Sequence, residues 1–130
     1  MAKSVHDDVL DGALKVIKSN ANLITVCTAQ PTTRSLAINV VGGSPAGYRL
    51  ASIATSTADY TIANGSSSNG RKVTVGAQNS VSVDATGSAE HVAIVDGTRL
   101  LLVTTCTKQA LTLGNKVNIP AFKDTIADPT

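Results

Sequence analysis

Aromatic residues are nearly missing from this chain of 130 residues, which has one Phe, two Tyr and no Trp. Without ring faces, single-strand nucleic-acid binding lacks its stacking platform, carbohydrate stacking is poorly provided for, and the core must be built from Val, Ile, Leu and Ala. A surplus of charge of one sign is also missing. Eleven Lys and Arg against nine Asp and Glu leave a net charge of +2. That is too little for the clustered cations that neutralise phosphates or hold an anionic membrane surface. The longest cationic run, Arg71-Lys72, reads as a solvated strand end. No nucleic acid and no membrane are therefore expected as partners.

Long apolar runs are absent too. No stretch approaches the 18 apolar residues that a spanning helix needs. The opening Met-Ala-Lys-Ser has no apolar h-region, so no secretory leader is expected. Synthesis in a cytoplasm makes a structural disulfide an unfavoured use of the two cysteines, Cys27 and Cys106. Each sits in a Thr-rich apolar stretch and reads as a small buried hydrophobe, although spacing alone leaves their pairing open.

What is present is β-forming. Apolar residues make up 42% of the chain, which places it in the ordinary globular range, and Val, Thr and Ser are abundant. The length suits one domain, residues 1–130, with one core that needs no staples. A single helical period stands at the N-terminus. Val9, Leu10, Ala13, Leu14 and Ile17 form one apolar stripe. Ser4 with Asp7 resembles a capping box, and acids precede Lys15 and Lys18 as the helix dipole prefers. Gly12 weakens this helix by about 1 kcal/mol against Ala, so docking must hold it. The spacing predicts a helix over 5–18.

Beyond it the period becomes two. Strands are expected over 22–28, 34–41, 48–55, 71–77, 80–84, 89–95, 99–106, 109–113 and 116–119, with turn formers at 29–33, 42–47, 64–70, Gln78-Asn79, Asp96-Gly97-Thr98 and Gly114-Asn115. The Asp-Gly between two strong apolar runs signals a hairpin. Leu100, Leu101, Leu102 and Val103 show no polar alternation, which predicts a strand covered on both faces. Pro120 stops the ladder, Phe122 is a candidate anchor, and 120–130 reads as an extended arm. Many short strands without interleaved helices predict a mainly β fold, a jelly roll or other β-sandwich over 22–119 with one short N-terminal helix. Strand order, and with it the choice between jelly roll and other sandwich, stays open.

The sequence offers no convergent chemistry. Cys27 with His91 is the best nucleophile–base pair, but both fall inside predicted strands, away from the loops and helix starts where activated thiols sit. His6, Asp7 and Asp8 suit a helix cap better than a ligand set. Asp84, Glu90 and Asp96 lie beside turns where solvated acids are expected. Gly42-Gly43-Ser44-Pro45 has the glycines of a phosphate loop but no helix to follow. No catalytic, cofactor or metal residue is assigned, and no enzyme activity is expected.

Several stretches carry a resemblance. Residues 2–14, Ala-Lys-Ser-Val-His-Asp-Asp-Val-Leu-Asp-Gly-Ala-Leu, are similar to the start of small proteins encoded among the capsid genes of tailed phages. So are Thr25-Val-Cys-Thr-Ala-Gln-Pro-Thr-Thr33, Gly70-Arg-Lys-Val-Thr-Val75, the segment from His91 to Leu101, and Gly114-Asn-Lys-Val-Asn-Ile-Pro120. None of these stretches is a catalytic motif. The chain thereby resembles the capsid cement, or decoration, proteins of tailed phages, including the jelly-roll kind on Bordetella-type podoviruses. The resemblance implies a β-fold on the outside of the virion head, bound to the major capsid protein and to its own copies as a dimer or trimer. A tail, head–tail adaptor or fibre-base component is the alternative, and a small-ligand-binding module a more distant one. Arg34, Tyr48 and Arg49, from the weakly patterned region 29–49, and Phe122, from the C-terminal arm, are the candidate partner-binding residues. The helix is expected to cover an open sheet face or else to dock on the partner, and the arm either adds to a neighbouring edge or frays.

Overall fold

The apolar stripe read at the N-terminus does form a helix, α1 (Asp7–Asn20), but it begins two residues later than expected and runs to Asn20. The computed structural model describes residues 5–65 and 70–127. Ser4, the expected cap, lies outside the described residues. His6 caps instead, its Nδ1 accepting from the Asp8 amide at 3.1 Å, while Asp7 and Asp8 occupy the first turn. Leu10, Leu14 and Ile17 are the buried face. Two polar ties dock the helix: Lys18 Nζ donates to the Tyr60 carbonyl at 2.8 Å. The Arg71 guanidinium grips Asp11 through both carboxylate oxygens, at 2.7 and 3.2 Å. The bidentate geometry explains why an Asp inside the helix is tolerated.

The fold is mainly β, with 49% of the described residues in strands and 18% in helices. Its elements after α1 are β1 (Leu23–Cys27), α2 (Arg34–Ile38), β2 (Arg49–Ala54), a 3₁₀ turn (Thr57–Asp59), β3 (Tyr60–Asn64), β4 (Arg71–Val75), β5 (Gln78–Ser82), β6 (Gly87–Val95), β7 (Leu100–Leu111), β8 (Lys116–Ile119) and β9 (Phe122–Ile126). Every strand pairing is antiparallel. A four-stranded sheet runs β2-β1-β6-β7, a three-stranded sheet β3-β4-β9 and a two-stranded sheet β5-β8. The architecture is sandwich-like, with one core between the sheets. Ile24, Val26, Val92 and Ile94 of the large sheet meet Val73, Val75, Val81, Val117 and Ile119 of the smaller ones. Helix α1 closes the side of that core with Leu14 and Ile17, next to Tyr60.

Five element assignments change, the first being that 99–106 and 109–113 run on as one strand, β7. Residues 34–41 do not form a strand: α2 replaces them, because Thr33 Oγ1 accepts from the Leu36 amide at 3.2 Å and starts a helical turn. Its Ala37 packs with Ala93 and Val95 on the outer face of the large sheet. The unassigned stretch before the 64–70 loop is β3; residues 66–69 of that loop lie outside the described residues. Gln78-Asn79 is not a turn. Gln78 opens β5 and buries its amide, donating to Asp59 Oδ1 at 3.0 Å and to the Gly76 carbonyl at 3.2 Å. The turn tendency is absorbed as a register shift between Gln78 and Val81, with Ser80 at φ 56°. The C-terminal arm is not free: its 122–126 portion is β9, paired along β4 from Arg71↔Ile126 to Val75↔Phe122.

The hairpin read from Asp96-Gly97 is present, and Asp96 builds it. Its Oδ1 accepts from the amides of Thr98 (2.8 Å) and Arg99 (2.5 Å), and its Oδ2 from Arg99 Nε at 2.8 Å. The Thr98 amide foremost, then the backbone and side chain of Arg99, hold this buried carboxyl down at about 2, against the opposing effect of burial. A carboxyl with a folded pKa below its ordinary value of 3.8 adds stability above that value and loses it as pH falls through about 2. Asp96→Asn is therefore expected to lower the melting temperature most above pH 4, with the gap to the unsubstituted protein closing toward pH 2. A pH-independent gap in a thermal-melt series would contradict this account.

Candidate interaction surface

The four candidate partner-binding residues fall in two separate places. Arg34, Tyr48 and Arg49 gather around α2, at the β2 end of the large sheet. Arg34 Nε donates to the Asp96 carbonyl at 2.7 Å, so it ties the helix to the β6–β7 turn. Arg49 Nε donates to the Ile38 carbonyl at 2.6 Å, and its guanidinium pairs with Asp84. The Tyr48 amide donates to the Leu36 carbonyl at 2.8 Å, and its own carbonyl accepts from Thr28 at 2.9 Å. The half-buried arginines thus use Nε within the fold, satisfying carbonyls at the C-terminal half of a one-turn helix and at a tight turn. Arg34 and Tyr48 are partly exposed here, and residues 42 and 44–46 of the adjoining loop are exposed.

Phe122 lies on the opposite side. It packs against the core and, with Pro120, Ile119 and Val92, faces Thr104, Thr105, Cys106 and Thr107 of β7 across an open groove of ≈ 260 Å³. A smaller, more apolar pocket of ≈ 150 Å³ adjoins it, sharing Val92, Cys106 and Ile119 and adding Val26, Ala89 and Val117. Arg34, Tyr48 and Arg49 therefore form one patch, and Phe122 belongs to another that residue-type reasoning did not delimit.

The main feature that sequence reasoning missed is β7. Leu100–Val103, expected to be covered on both faces, are half-buried, because β7 is the outermost strand of the large sheet and, among the described residues, pairs with β6 alone. The other flank of that sheet is covered along Arg49–Ala51. Beside β2, the Val41 amide donates to the Arg49 carbonyl, the Arg49 amide donates to the Asn39 carbonyl, and Val83 bridges Ala51. An available signal was the polar run Thr104-Thr105-Cys106-Thr107-Lys108-Gln109 in the second half of β7, which a strand covered on both faces does not carry.

The Cys27–His91 pair is brought together as direct partners in the β1–β6 register. Cys27 is fully buried, and its Sγ lies 3.5 Å from Thr25 Oγ1 and 3.8 Å from the Ala37 carbonyl. Burial pushes its thiol up from the ordinary value, and burial followed by the Glu90 charge does the same to Cys106. A raised thiol pKa disfavours the thiolate needed for nucleophilic attack. His91 Nδ1 is buried without a hydrogen-bond partner among the described residues. Both cysteines are free. No group of three or more His, Cys, Asp or Glu side chains suited to a metal ion occurs among the described residues, and no described helix is long and apolar enough to cross a membrane. Compared with known proteins, the chain matches no family model, no curated protein and no solved structure.

Proposed function

We propose that this chain is a structural virion protein that decorates and cements the head of a tailed phage. It binds the lattice of the major capsid protein on the capsid exterior and pairs with its own copies as a dimer or trimer. It needs no cofactor, metal or catalytic step, and it is made in the host cytoplasm before it joins the virion. The observation that carries this reading is the set of capsid-gene-like stretches distributed along the chain from Ala2 to Pro120. Its surface supports the reading: a 12-residue outer strand beside an open groove, with a second patch around α2. These are contact features, and they suit an extended partner better than a small substrate.

The mechanism is mechanical. Each copy buries modest area across a seam between neighbouring capsid subunits, and many weak contacts act together, so separating the subunits costs more than any single contact suggests. Heads purified from a phage lacking this gene are expected to release DNA at a lower temperature, and at low salt, than heads that carry it. Release at an unchanged temperature would overturn the cementing role. Densitometry of purified particles adds a second readout: hundreds of copies per particle fit decoration, whereas six, twelve or a few dozen would move the protein to the tail or the head–tail adaptor.

A further inference from the structure

We infer that the apolar pocket between β7 and β8 is a binding site for a small neutral molecule of the phenol class, an apolar ring bearing one hydroxyl. This site is independent of the capsid reading, since it rests on how two strands part. Its ligand fills the pocket and leaves the groove outside to a larger partner.

A bulge accompanies the opening. Strand β6 advances two residues from Ala89 to His91, while β7 covers four from Gln109 to Thr105. The surplus falls among Cys106, Thr107 and Lys108, and a bulged strand bends where its surplus lies. Strand β8 pairs with β5 instead, so among the described residues no ladder joins β7 to β8. The pocket of ≈ 150 Å³ lies in that gap, and Cys106 and Thr107 line both it and the open groove.

The walls select the ligand. Val26 and Val92 of the large sheet and Val117 and Ile119 of β8 line the pocket, with the small Ala89 beside them. A space of about 150 Å³ with aliphatic walls is one that accepts a benzene-sized molecule. Gln109 stands opposite Ala89 in the β6–β7 ladder and so shares its face. Gln109 and Thr107 are exposed lining residues, and they offer hydrogen bonds to a hydroxyl at the mouth while the ring is buried. Among the described residues, no charged side chain lines the pocket or the groove. The charge felt at the Cys106 thiol is the Glu90 carboxylate. An anionic ligand would therefore lose hydration without gaining a cation, whereas a neutral phenol loses little.

The probe is p-cresol, titrated into the full chain. It is expected to shift the amide resonances of Ala89, Val92, Cys106 and Val117 saturably, with Kd about 0.1–1 mM, within the ceiling for so small a ligand. Benzoate at the same concentrations should leave them in place. With p-cresol at about ten times Kd, roughly one site in eleven is free. Alkylation of Cys106 by iodoacetamide should then slow about tenfold, with the fully buried Cys27 outside the reagent's reach. Ala89→Leu fills the pocket and should weaken p-cresol binding by about tenfold or more. An unchanged or raised melting temperature separates that filling from misfolding, and the Cys106 readout on the unsubstituted protein decides if the variant does not fold. Shifts that never saturate, benzoate binding as tightly as p-cresol, or an unprotected Cys106 would each overturn the site. A folded Ala89→Leu variant that binds p-cresol unchanged would do the same.

Discussion

Ile94→Ala is expected to destabilise the protein by about 2–5 kcal/mol, a large part of the ~5–15 kcal/mol that holds an ordinary domain folded. Ile94 has no exposed surface. It sits one residue from the C-terminal end of β6, between Ile24 of β1 and Leu102 of β7 in the pairing registers, and it belongs to the main core. Removing its outer carbons loses their burial and leaves a cavity that strands hydrogen-bonded on both sides cannot collapse to fill. Urea unfolding checks this. The midpoint should fall while the slope of stability against urea stays the same, since the surface exposed on unfolding is unchanged. Ile94→Val removes one carbon and should cost only about 0.5–1.5 kcal/mol. Equal effects for Val and Ala would remove the cavity argument.

Gly70→Val is expected to cost a similar amount, about 2–5 kcal/mol, for a different reason. Gly70 has φ +71°, in the left-handed region that side chains disfavour. A Cβ there would overlap the Ile126 carbonyl oxygen and stand 2.7 Å from Ala127 Cα. Every nearby atom is backbone, so no side-chain rotation relieves the overlap. The relief available is for β9 to leave β4, which uncovers Val73 and Val75 and loosens the pairing from Arg71↔Ile126 to Val75↔Phe122. Hydrogen exchange should lose protection first at Phe122–Ile126, while the β1–β6 pairing keeps it. Retained protection at β9, with an unshifted unfolding midpoint, would contradict the close approach.

These two sites differ in how far local sequence foretells them. The apolar run 89–95 and the Asp96-Gly97 turn identify β6 and its hairpin to β7 directly, because alternation, run length and turn chemistry all point the same way. The environment of Gly70 shows only when residue 126 lies beside it, a contact between distant parts of the chain. The contact surface divides likewise. Arg34, Tyr48, Arg49 and Phe122 stand out as large side chains in weakly patterned stretches, but their positions in two patches, and the use of both arginines to hold carbonyls within the fold, follow from how α2 and β9 dock. Leu100–Val103 carry the sharpest lesson. An unbroken apolar run reads as a buried central strand, yet the sheet places it at the edge.

Local pattern alone thus determined α1, the strand-rich class and the hairpin at Asp96. Periodicity, capping and turn formers act over a few neighbouring residues, and these features need nothing more. Tertiary structure decided that 34–38 is a helix, that Gln78 opens a strand, that 122–126 pairs with β4, and that β7 has no outer neighbour among the described residues. Short apolar segments satisfy helix and strand almost equally, so the energy that settles them comes from partners far away in the chain. A strand cannot record in its own residues whether a neighbour will lie beside it.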